Sequence, residues 1–209
     1  NLNRRKTEVA QETVLSINPE ARVTLFDQGI HPENIDLFLE GVDVVIDSLD
    51  FYCFEERFLL YAKAREKGLW VLTAPPLGFG FTLLIFDPRG MRFEDYFGFY
   101  SGMTERNRVV ALVAGIAPRL FMMKYLDRSR PDVAGRRLPS VGAAPFMIAG
   151  VIATEVTALL LKRGERMRVP QIYQFDALLR RHRKKTYRWG MRGPIQRLKR
   201  FLLNRLLPA

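Results

Sequence analysis

Residues 42–75 constrain the fold most, because they read as strand, helix and strand with short connections. The segment 42–50, VDVVIDSLD, has the continuous apolar centre of a buried parallel strand. Residues 54–67 predict a helix, and residues 69–75, LWVLTAP, predict the next strand. This alternation favours an α/β fold with a doubly wound sheet, in which ligands bind at the carboxyl ends of the strands.

Two carboxylates follow the first strand, at the edge where a ligand would bind. Asp47 and Asp50 have a D-x-x-D spacing, and such carboxylates can hold Mg²⁺ against nucleotide phosphates because Mg²⁺ prefers hard oxygen ligands. Asp also caps helices, and Asp50 lies just before one. Spacing alone favours the capping role, so the metal role needs further support.

The remaining elements of the first half fit around this unit. We predict a helix over 5–16, a strand over 21–28 and a short helix over 31–41. A fourth strand over 81–88 follows the loop 75–80, PPLGFG. The loop contains a G-x-G, but it lies between two late strands, so we give it no nucleotide role.

The second half has a different pattern. Residues 90–100 are aromatic and loop-like, and 105–126 predict a helix interrupted near Pro118. Residues 127–140 read as a polar, basic linker. The segment 173–189 fits either a strand or a basic helix, and both alternatives stay open.

The longest apolar run, 141–161, has the length of a membrane-spanning helix. Pro145, Thr154, Glu155 and Thr157 lie inside it. A carboxylate in mid-bilayer is expensive. We therefore expect a buried core helix.

Composition points to an anionic partner. The chain has 33 Lys and Arg against 22 Asp and Glu, a net charge of +11, which suits a nucleotide, nucleic acid, anionic lipid or acidic protein. The single cysteine, Cys53, excludes an internal disulfide and zinc sites built on paired cysteines. We expect a cytoplasmic protein without structural zinc.

Residues 193–207 predict a basic amphipathic helix. One side carries the apolar residues Ile195, Leu198, Phe201, Leu202 and Leu206. This helix could lie on an anionic membrane surface, dock on an acidic protein, or dock on its own domain with basic residues facing water; we favour docking over the membrane surface. Although the run 180–185, RRHRKK, is strongly basic, no aromatic-interleaved RNA motif is present, so we expect no specific nucleic-acid partner.

Seven short motifs follow one another along the chain: NLNR at 1–4, KTEVA at 6–10, INP at 17–19, DVVIDSLD at 43–50, TAPPLGFG at 73–80, PSVGAA at 139–144 and AGVIATEVTALLL at 149–161. Each motif alone is weak, but their order is specific. From residue 1 to about residue 162, this ordered set resembles the ThiF–MoeB–HesA family, the adenylating enzymes related to ubiquitin-activating enzymes.

The resemblance implies an architecture. It implies a Rossmann-like mixed sheet in an adenylation domain over 1–162. It also implies a homodimer. From their own charge and pattern, we expect residues 163–209 to form a basic, mostly helical C-terminal extension.

The resemblance also implies roles for individual residues. Asn1 and Arg4 match residues that bind the ATP phosphates, and Lys6 matches a lysine that contacts the same phosphates. Asp50 matches the aspartate that binds Mg²⁺ and positions the attacking carboxylate. The implied catalytic set is therefore Arg4, Lys6 and Asp50. The implied reaction is attack of a carboxylate on the α-phosphorus of ATP, which gives an acyl adenylate and pyrophosphate.

Some features depart from the family pattern. Lys6 follows Arg4 by two residues, whereas the family places a loop between the two motifs, so we expect a loop to be missing on either side of Arg5 or before Arg4. The family's strand and G-x-G-x-x-G turn before NLNR are also missing. The spacing from Asp50 to Arg57 exceeds the family's by two residues, which weakens the case for a phosphate role of Arg57; a salt bridge to Glu55 or Glu56 is the alternative.

Cysteine placement narrows the chemistry further. Family members that form a thioester place a cysteine before the late helix, where this chain reads GRRLPSVGAA. Cys53 begins a helix and reads better as a packing residue than as a reactive thiol. We therefore expect adenylation without a covalent enzyme thioester.

Three functions remain. The first is ATP-dependent activation of a carboxylate, which is the C-terminus of a ubiquitin-like or sulfur-carrier protein, or a peptide or small acid. The second is a non-catalytic subunit, related to adenylating enzymes, that binds a partner protein. The third is a membrane-surface protein that uses the 193–207 helix.

Overall fold

The computed structural model describes residues 3–126 and 141–206, with the side chain of Leu206 outside that description. The linker expected over 127–140 lies outside the described residues. The chain divides into two compact units, residues 1–40 and 41–209. The domain boundary expected after residue 162 stays a prediction.

The first unit is helical. Helix α1, Lys6–Ile17, confirms the helix expected over 5–16, and α2 is a single turn, Ile35–Phe38. The strand expected over 21–28 is wrong: this stretch is not part of any sheet in the described chain. Its alternating β-branched pattern favours extended backbone, but a strand also needs a neighbour to pair with.

The second unit is built on a mixed sheet, as expected. Its strand order is β1-β2-β4-β5-β6, with β3 pairing to β4. Only β1 and β2 run parallel, and the other pairs are antiparallel. The strands are β1 Val44–Ile46, β2 Trp70–Thr73, β3 Pro76–Leu77, β4 Gly80–Phe86, β5 Gln171–Asp176 and β6 Arg181–Thr186.

Helices cover both faces of this sheet. They are α3 Phe54–Glu66, α4 Phe93–Phe97, α5 Glu105–Ile116, α6 Ala143–Leu160 and α7 Pro194–Leu206, with 3-10 turns at Phe121–Lys124 and Gly190–Arg192. The interruption expected near Pro118 is confirmed, because α5 ends at Ile116 and the next turn begins at Phe121.

One face of the sheet is covered by α3 and α4 through aromatic rings. Phe86 of β4 packs edge-on against Tyr61 of α3, with ring centroids 5.0 Å apart, and also against Phe93 and Tyr96 of α4. The loop expected over 90–100 is therefore partly wrong. Phe93, Tyr96 and Phe97 have helical spacing, and burying them stabilises a short helix there.

The opposite face is covered by α6. Ile148, Val151 and Ile152 of this helix pack against a cluster that includes Phe81 and Leu83 of β4. Among the described helices, α6 alone is long and apolar enough to cross a membrane by length and composition. The expectation of a buried core helix is wrong, because only one side of α6 is covered and Phe146 is 84% exposed.

The ambiguous segment 173–189 forms most of a hairpin. Strand β5 alternates between buried and half-buried residues, whereas β6 is the exposed outer strand. The C-terminal extension thus adds two strands to the same sheet as β4, in addition to its helix α7.

Candidate functional site

Asp47 anchors the carboxyl end of β1. Its backbone N–H donates to the Leu72 carbonyl at 2.8 Å, which continues the pairing with β2. Its side chain is buried and accepts hydrogen bonds from Arg57 Nε at 2.9 Å, Tyr61 Oη at 3.1 Å and the Leu49 N–H at 3.0 Å. Burial, followed by the charge of Asp47, raises the Tyr61 pKa well above its usual value, so this hydroxyl stays protonated and donates. Asp47 is therefore fully engaged inside the protein.

Arg57 ties the loop after β1 to α3. Beyond Asp47, its guanidinium donates to the carbonyls of Leu49 at 2.8 Å and Asp50 at 3.1 Å. The salt bridge expected to Glu55 or Glu56 is wrong, since the buried Arg57 pairs with Asp47. Because the Arg57 guanidinium makes these hydrogen bonds, it holds the backbone of the D-x-x-D loop and is not directed at a phosphate.

Asp50 presents its carboxylate to solvent from this fixed loop. The residue is exposed, and its side chain makes no hydrogen bond within the described parts of the chain. Its carbonyl accepts from the Cys53 N–H at 3.1 Å and from Arg57. The helix-capping role is wrong, because α3 has Cys53 at its N-cap position and no side-chain cap. The two carboxylates of D-x-x-D thus differ, because Asp47 is buried and hydrogen-bonded whereas Asp50 is exposed.

The site lies where parallel strands end. Asp47 follows β1, and Thr73, the last residue of β2, donates its hydroxyl to the Asp47 carbonyl at 2.9 Å. This is the edge of an α/β sheet where ligands bind. A separate cavity of about 280 Å³, lined in part by Arg65, Asp87 and Arg92, follows the carboxyl end of antiparallel β4 and so lies at the opposite edge.

The carboxylate of Asp50 suits a hard cation such as Mg²⁺, which takes oxygen ligands. Within residues 3–126 and 141–206, no group of three or more His, Cys, Asp or Glu side chains could hold a metal ion. A magnesium ion at Asp50 would therefore take its other ligands from phosphate oxygens and water, as is usual for nucleotide-bound Mg²⁺.

Cys53 is half-buried beside this loop. Burial raises the pKa of its thiol, and the charges of Glu56 and Asp50 raise it further. A raised pKa lowers the fraction of reactive thiolate at neutral pH. The environment of Cys53 therefore suits a packing residue better than a nucleophile.

The other expected site residues belong to the first unit. Arg4 forms a two-pronged ion pair with Glu12, with Nη1 to Oε2 at 2.9 Å. Lys6 is the first residue of α1, is exposed, and makes no ion pair with any residue that the structure describes. Asn1 lies outside the described residues. The structure joins Arg4 to Lys6 through Arg5 alone, and the missing loop stays a prediction.

A carboxylate occupies the start of α1. Asp27 accepts from the Thr7 hydroxyl at 2.8 Å and pairs with Arg5 at 2.6 Å. The Thr7 hydrogen bond and then the Arg5 hydrogen bond lower the Asp27 pKa. The positive helix N-terminus and its cations thus already attract one anion. Lys6 keeps its ammonium available beside it.

A family model for the ThiF family matches residues 1–188. This chain belongs to the ThiF family. Over 62 residues it is 40% identical to the tRNA threonylcarbamoyladenosine dehydratase of Haemophilus influenzae, which covers 29% of this chain and 24% of that protein. Over 69 residues it is 33% identical to the uncharacterized protein MT1398 of Mycobacterium tuberculosis, covering 33% of this chain and 9% of that protein.

Solved structures share the fold. Escherichia coli MccB with ATP aligns with a TM-score of 0.59 and 15% identity, covering 90% of this chain and 49% of MccB. PaaA aligns with a TM-score of 0.58 and 13% identity, covering 88% of this chain and 48% of PaaA. The ThiF-family chain therefore spans about half the length of these proteins, and less of its curated relatives.

Sequence reasoning missed the three-residue anchor of Asp47, Arg57 and Tyr61. One signal was available: Arg57 and Tyr61 are four residues apart, so they share a face of α3. Two polar groups on the buried face of a helix need a buried partner, and Asp47 was the nearest carboxylate on a strand end.

Proposed function

We propose that this ThiF-family chain is part of an ATP-dependent adenylyltransferase. In the reaction, a carboxylate oxygen forms a bond to the α-phosphorus of ATP and the bond between the α-phosphorus and the bridging oxygen breaks. The products are an acyl adenylate and pyrophosphate. The observation that carries the proposal is the exposed carboxylate of Asp50, held at the carboxyl edge of parallel strands by a buried Asp47–Arg57 pair.

Asp50 has the chemistry for this role. A bound Mg²⁺ would neutralise charge that develops on the phosphate oxygens, and Asp50 would supply one of its oxygen ligands. Because Arg57 fixes the loop backbone, the backbone that carries Asp50 does not need to be ordered when the nucleotide binds. Positioning of this kind is the main contribution that a protein makes to phosphoryl chemistry.

The proposal assigns the ATP phosphates to Asn1, Arg4 and Lys6. Lys6 opens α1, where the helix N-terminus also favours an anion. Arg4 would exchange Glu12 for a phosphate, and a forked guanidinium suits both partners. The support for these three residues is the family match, which begins at residue 1.

For the substrate we propose the C-terminal carboxylate of a ubiquitin-like or sulfur-carrier protein, with a peptide or small acid as the other candidates. MccB has been solved in complex with MccA, and a curated relative acts on tRNA threonylcarbamoyladenosine. Relatives of this fold thus act on dissimilar molecules. We further propose that the active form is a cytoplasmic homodimer.

A second candidate is a non-catalytic subunit that binds a partner protein. The observation that favours it is the Arg4–Glu12 pair, which engages a residue expected at the phosphates. Such a subunit would keep the loop geometry at Asp50 but would not turn over ATP.

Exchange of labelled pyrophosphate into ATP by the full-length protein separates these candidates. The enzyme gives exchange that depends on both a carboxylate and Mg²⁺. The binding subunit gives none with protein C-termini, peptides or small acids, and that result would overturn the proposal. A reference family enzyme in the same assay serves as the positive control.

A further inference from the structure

Helix α7 docks on the second unit by its polar side. Lys199 Nζ donates to the Pro118 carbonyl at 2.8 Å, after the end of α5. From α5, Arg106 Nε donates to Asn204 Oδ1 at 2.8 Å and Arg106 Nη2 to the Asn204 carbonyl at 2.7 Å. Positions 199 and 204 therefore face the protein, which leaves the apolar side of this amphipathic helix facing outward.

The outward side is a stripe of large apolar residues. The relative exposures are 66% for Ile195, 59% for Leu198, 53% for Phe201 and 49% for Leu202. Trp189, just before the helix, is 67% exposed. We call these five residues the α7 stripe. The expectation that α7 docks with its basic residues toward water and its apolar side inward is wrong, because the polar residues make the docking hydrogen bonds.

Cations surround the α7 stripe. From residue 177 to residue 206 the chain has eleven Lys and Arg and no Asp or Glu. Arg205 lies over the Phe201 ring, 4.3 Å from its centroid, and Arg197 is exposed on the same helix. Burial, then the charges of Arg119 and Arg183, lower the Lys199 pKa, so β6 contributes to the same positive field. An apolar ridge in a positive field fits a surface that is both apolar and anionic.

We propose that the α7 stripe binds the surface of an anionic lipid bilayer. The helix would lie in the plane of the interface, with Leu198 and Phe201 among the acyl chains and Arg197 and Arg205 at the headgroups. An acidic protein or an RNA would satisfy the cations, but neither needs four exposed aliphatic and aromatic side chains in a row. Trp189 fits the same surface, since tryptophan prefers the boundary between headgroups and acyl chains.

The geometry of the sheet limits the contact to α7. Phe81 and Leu83 of β4 face α6, whereas Phe86 faces α3 and α4. Helix α4 contacts α5 through the hydrogen bond that Tyr96 Oη donates to the Gly115 carbonyl at 3.0 Å. Helix α5 in turn contacts α7 through Arg106 and Asn204. The exposed side of α6 is thus on the opposite face of the sheet, and one flat membrane cannot cover both helices.

Vesicle binding tests this proposal independently of ATP chemistry. The full-length protein with Trp70→Phe keeps Trp189 as the single tryptophan of this chain. Equimolar phosphatidylcholine and phosphatidylglycerol vesicles should sediment it and shift Trp189 emission to the blue, and added salt should weaken binding. Phosphatidylcholine alone should bind it at least about tenfold more weakly, because anionic headgroups contribute much of the affinity.

Leu198→Glu gives the decisive comparison. It should weaken binding to the anionic vesicles by about tenfold or more, through lost apolar burial and added negative charge. Leu37→Glu, at a residue 63% exposed in the first unit, adds the same charge and should leave binding within about twofold. Leu198→Ser should weaken binding without a change of charge. Because Leu198 faces solvent, circular dichroism should show each variant folded.

Three results would overturn the proposal. One is no sedimentation with anionic vesicles at physiological salt. Another is equal loss of binding in Leu198→Glu and Leu37→Glu, which would show that vesicle binding depends on the net charge of the protein and not on the α7 stripe. The third is binding of the protein to polyglutamate or RNA with an affinity that Leu198→Ser leaves unchanged, together with poor displacement of that polymer by anionic vesicles.

Discussion

Arg57 and Asp47 form a buried ion pair, with Nε and Oδ2 2.9 Å apart and both side chains less than 10% exposed. The pair connects the end of β1 to the first turns of α3, and the same guanidinium binds the Asp50 carbonyl. A buried charge pair therefore holds the loop backbone that carries the exposed carboxylate we assign to Mg²⁺.

Arg57→Met should destabilise the protein strongly, because it leaves the Asp47 charge buried without a cation. Breaking one partner of such a pair costs about 3–5 kcal/mol. Urea unfolding followed by circular dichroism measures the loss. Arg65→Met, on the same helix, removes a hydrogen bond to the Gly90 carbonyl at 3.0 Å and should cost about 1 kcal/mol. Equal losses for the two variants would show that the Asp47 pair contributes nothing special.

Tyr125→Phe should change how stability depends on pH. Tyr125 Oη donates to Asp176 Oδ2 at 2.7 Å and accepts from the Phe79 N–H at 2.9 Å. Burial, with a further contribution from Asp176, raises the Tyr125 pKa from 10.0 to about 12. Because the folded state holds this proton more tightly, its contribution is complete below pH 10 and is lost as pH rises through about 12.

The deficit of Tyr125→Phe relative to wild type should therefore be about 1–3 kcal/mol at pH 8 and should shrink as pH rises above 10. Denaturant unfolding at several pH values measures it, with Tyr100→Phe at an exposed tyrosine as control. A deficit that is constant from pH 8 to 12 would contradict the assignment.

Cys53 should react slowly with thiol reagents at pH 7, because its pKa is raised by burial and by the nearby carboxylates. Iodoacetamide labelling followed by mass spectrometry should be slower than that of free cysteine, and Glu56→Gln should speed it. We expect Cys53→Ser to keep pyrophosphate exchange. Loss of exchange in Cys53→Ser, together with a trapped thioester, would show that the thiol is catalytic.

Arg4→Ala should raise the KM for ATP about tenfold, since a charged hydrogen bond to phosphate contributes about 1.5–3 kcal/mol. Arg5→Ala is the matched control, because Arg5 pairs with Asp27 at 2.6 Å. The steady-state KM for ATP, measured by pyrophosphate release, tests both variants. An equal rise in both would indicate a general effect of positive charge.

The sequence predicted the elements whose burial pattern is local. Helix α3 and strands β1 and β2 are where the apolar periodicity places them, because each buries a face against its sequence neighbours. The strand expected over 21–28 failed for the opposite reason, since extended propensity does not supply a pairing partner. Helix α6 carries apolar residues on every side, and such a pattern does not reveal which side the protein covers.

The site was predicted in part. The D-x-x-D spacing located the loop, and the family resemblance selected Asp50 over Asp47. Which carboxylate is buried depends on Arg57, whose partner lies ten residues away on another element. Such a pairing depends on how the helix packs against the strand, and the sequence pattern of either element does not show which side chains will meet. The outward stripe of α7 has the same origin, because hydrogen bonds to α5 decide which side docks.

The most direct test of the central claim is pyrophosphate exchange by the full-length protein with Asp50→Asn, compared with Asp43→Asn. Asp43 is an exposed carboxylate just before β1, so its variant removes the same charge from the other end of that strand. We predict that Asp50→Asn lowers the exchange rate at least about a hundredfold, as for loss of a group that stabilises the transition state, while Asp43→Asn stays near wild type. Wild-type exchange in Asp50→Asn, with Mg²⁺ dependence intact, would contradict the assignment of this site.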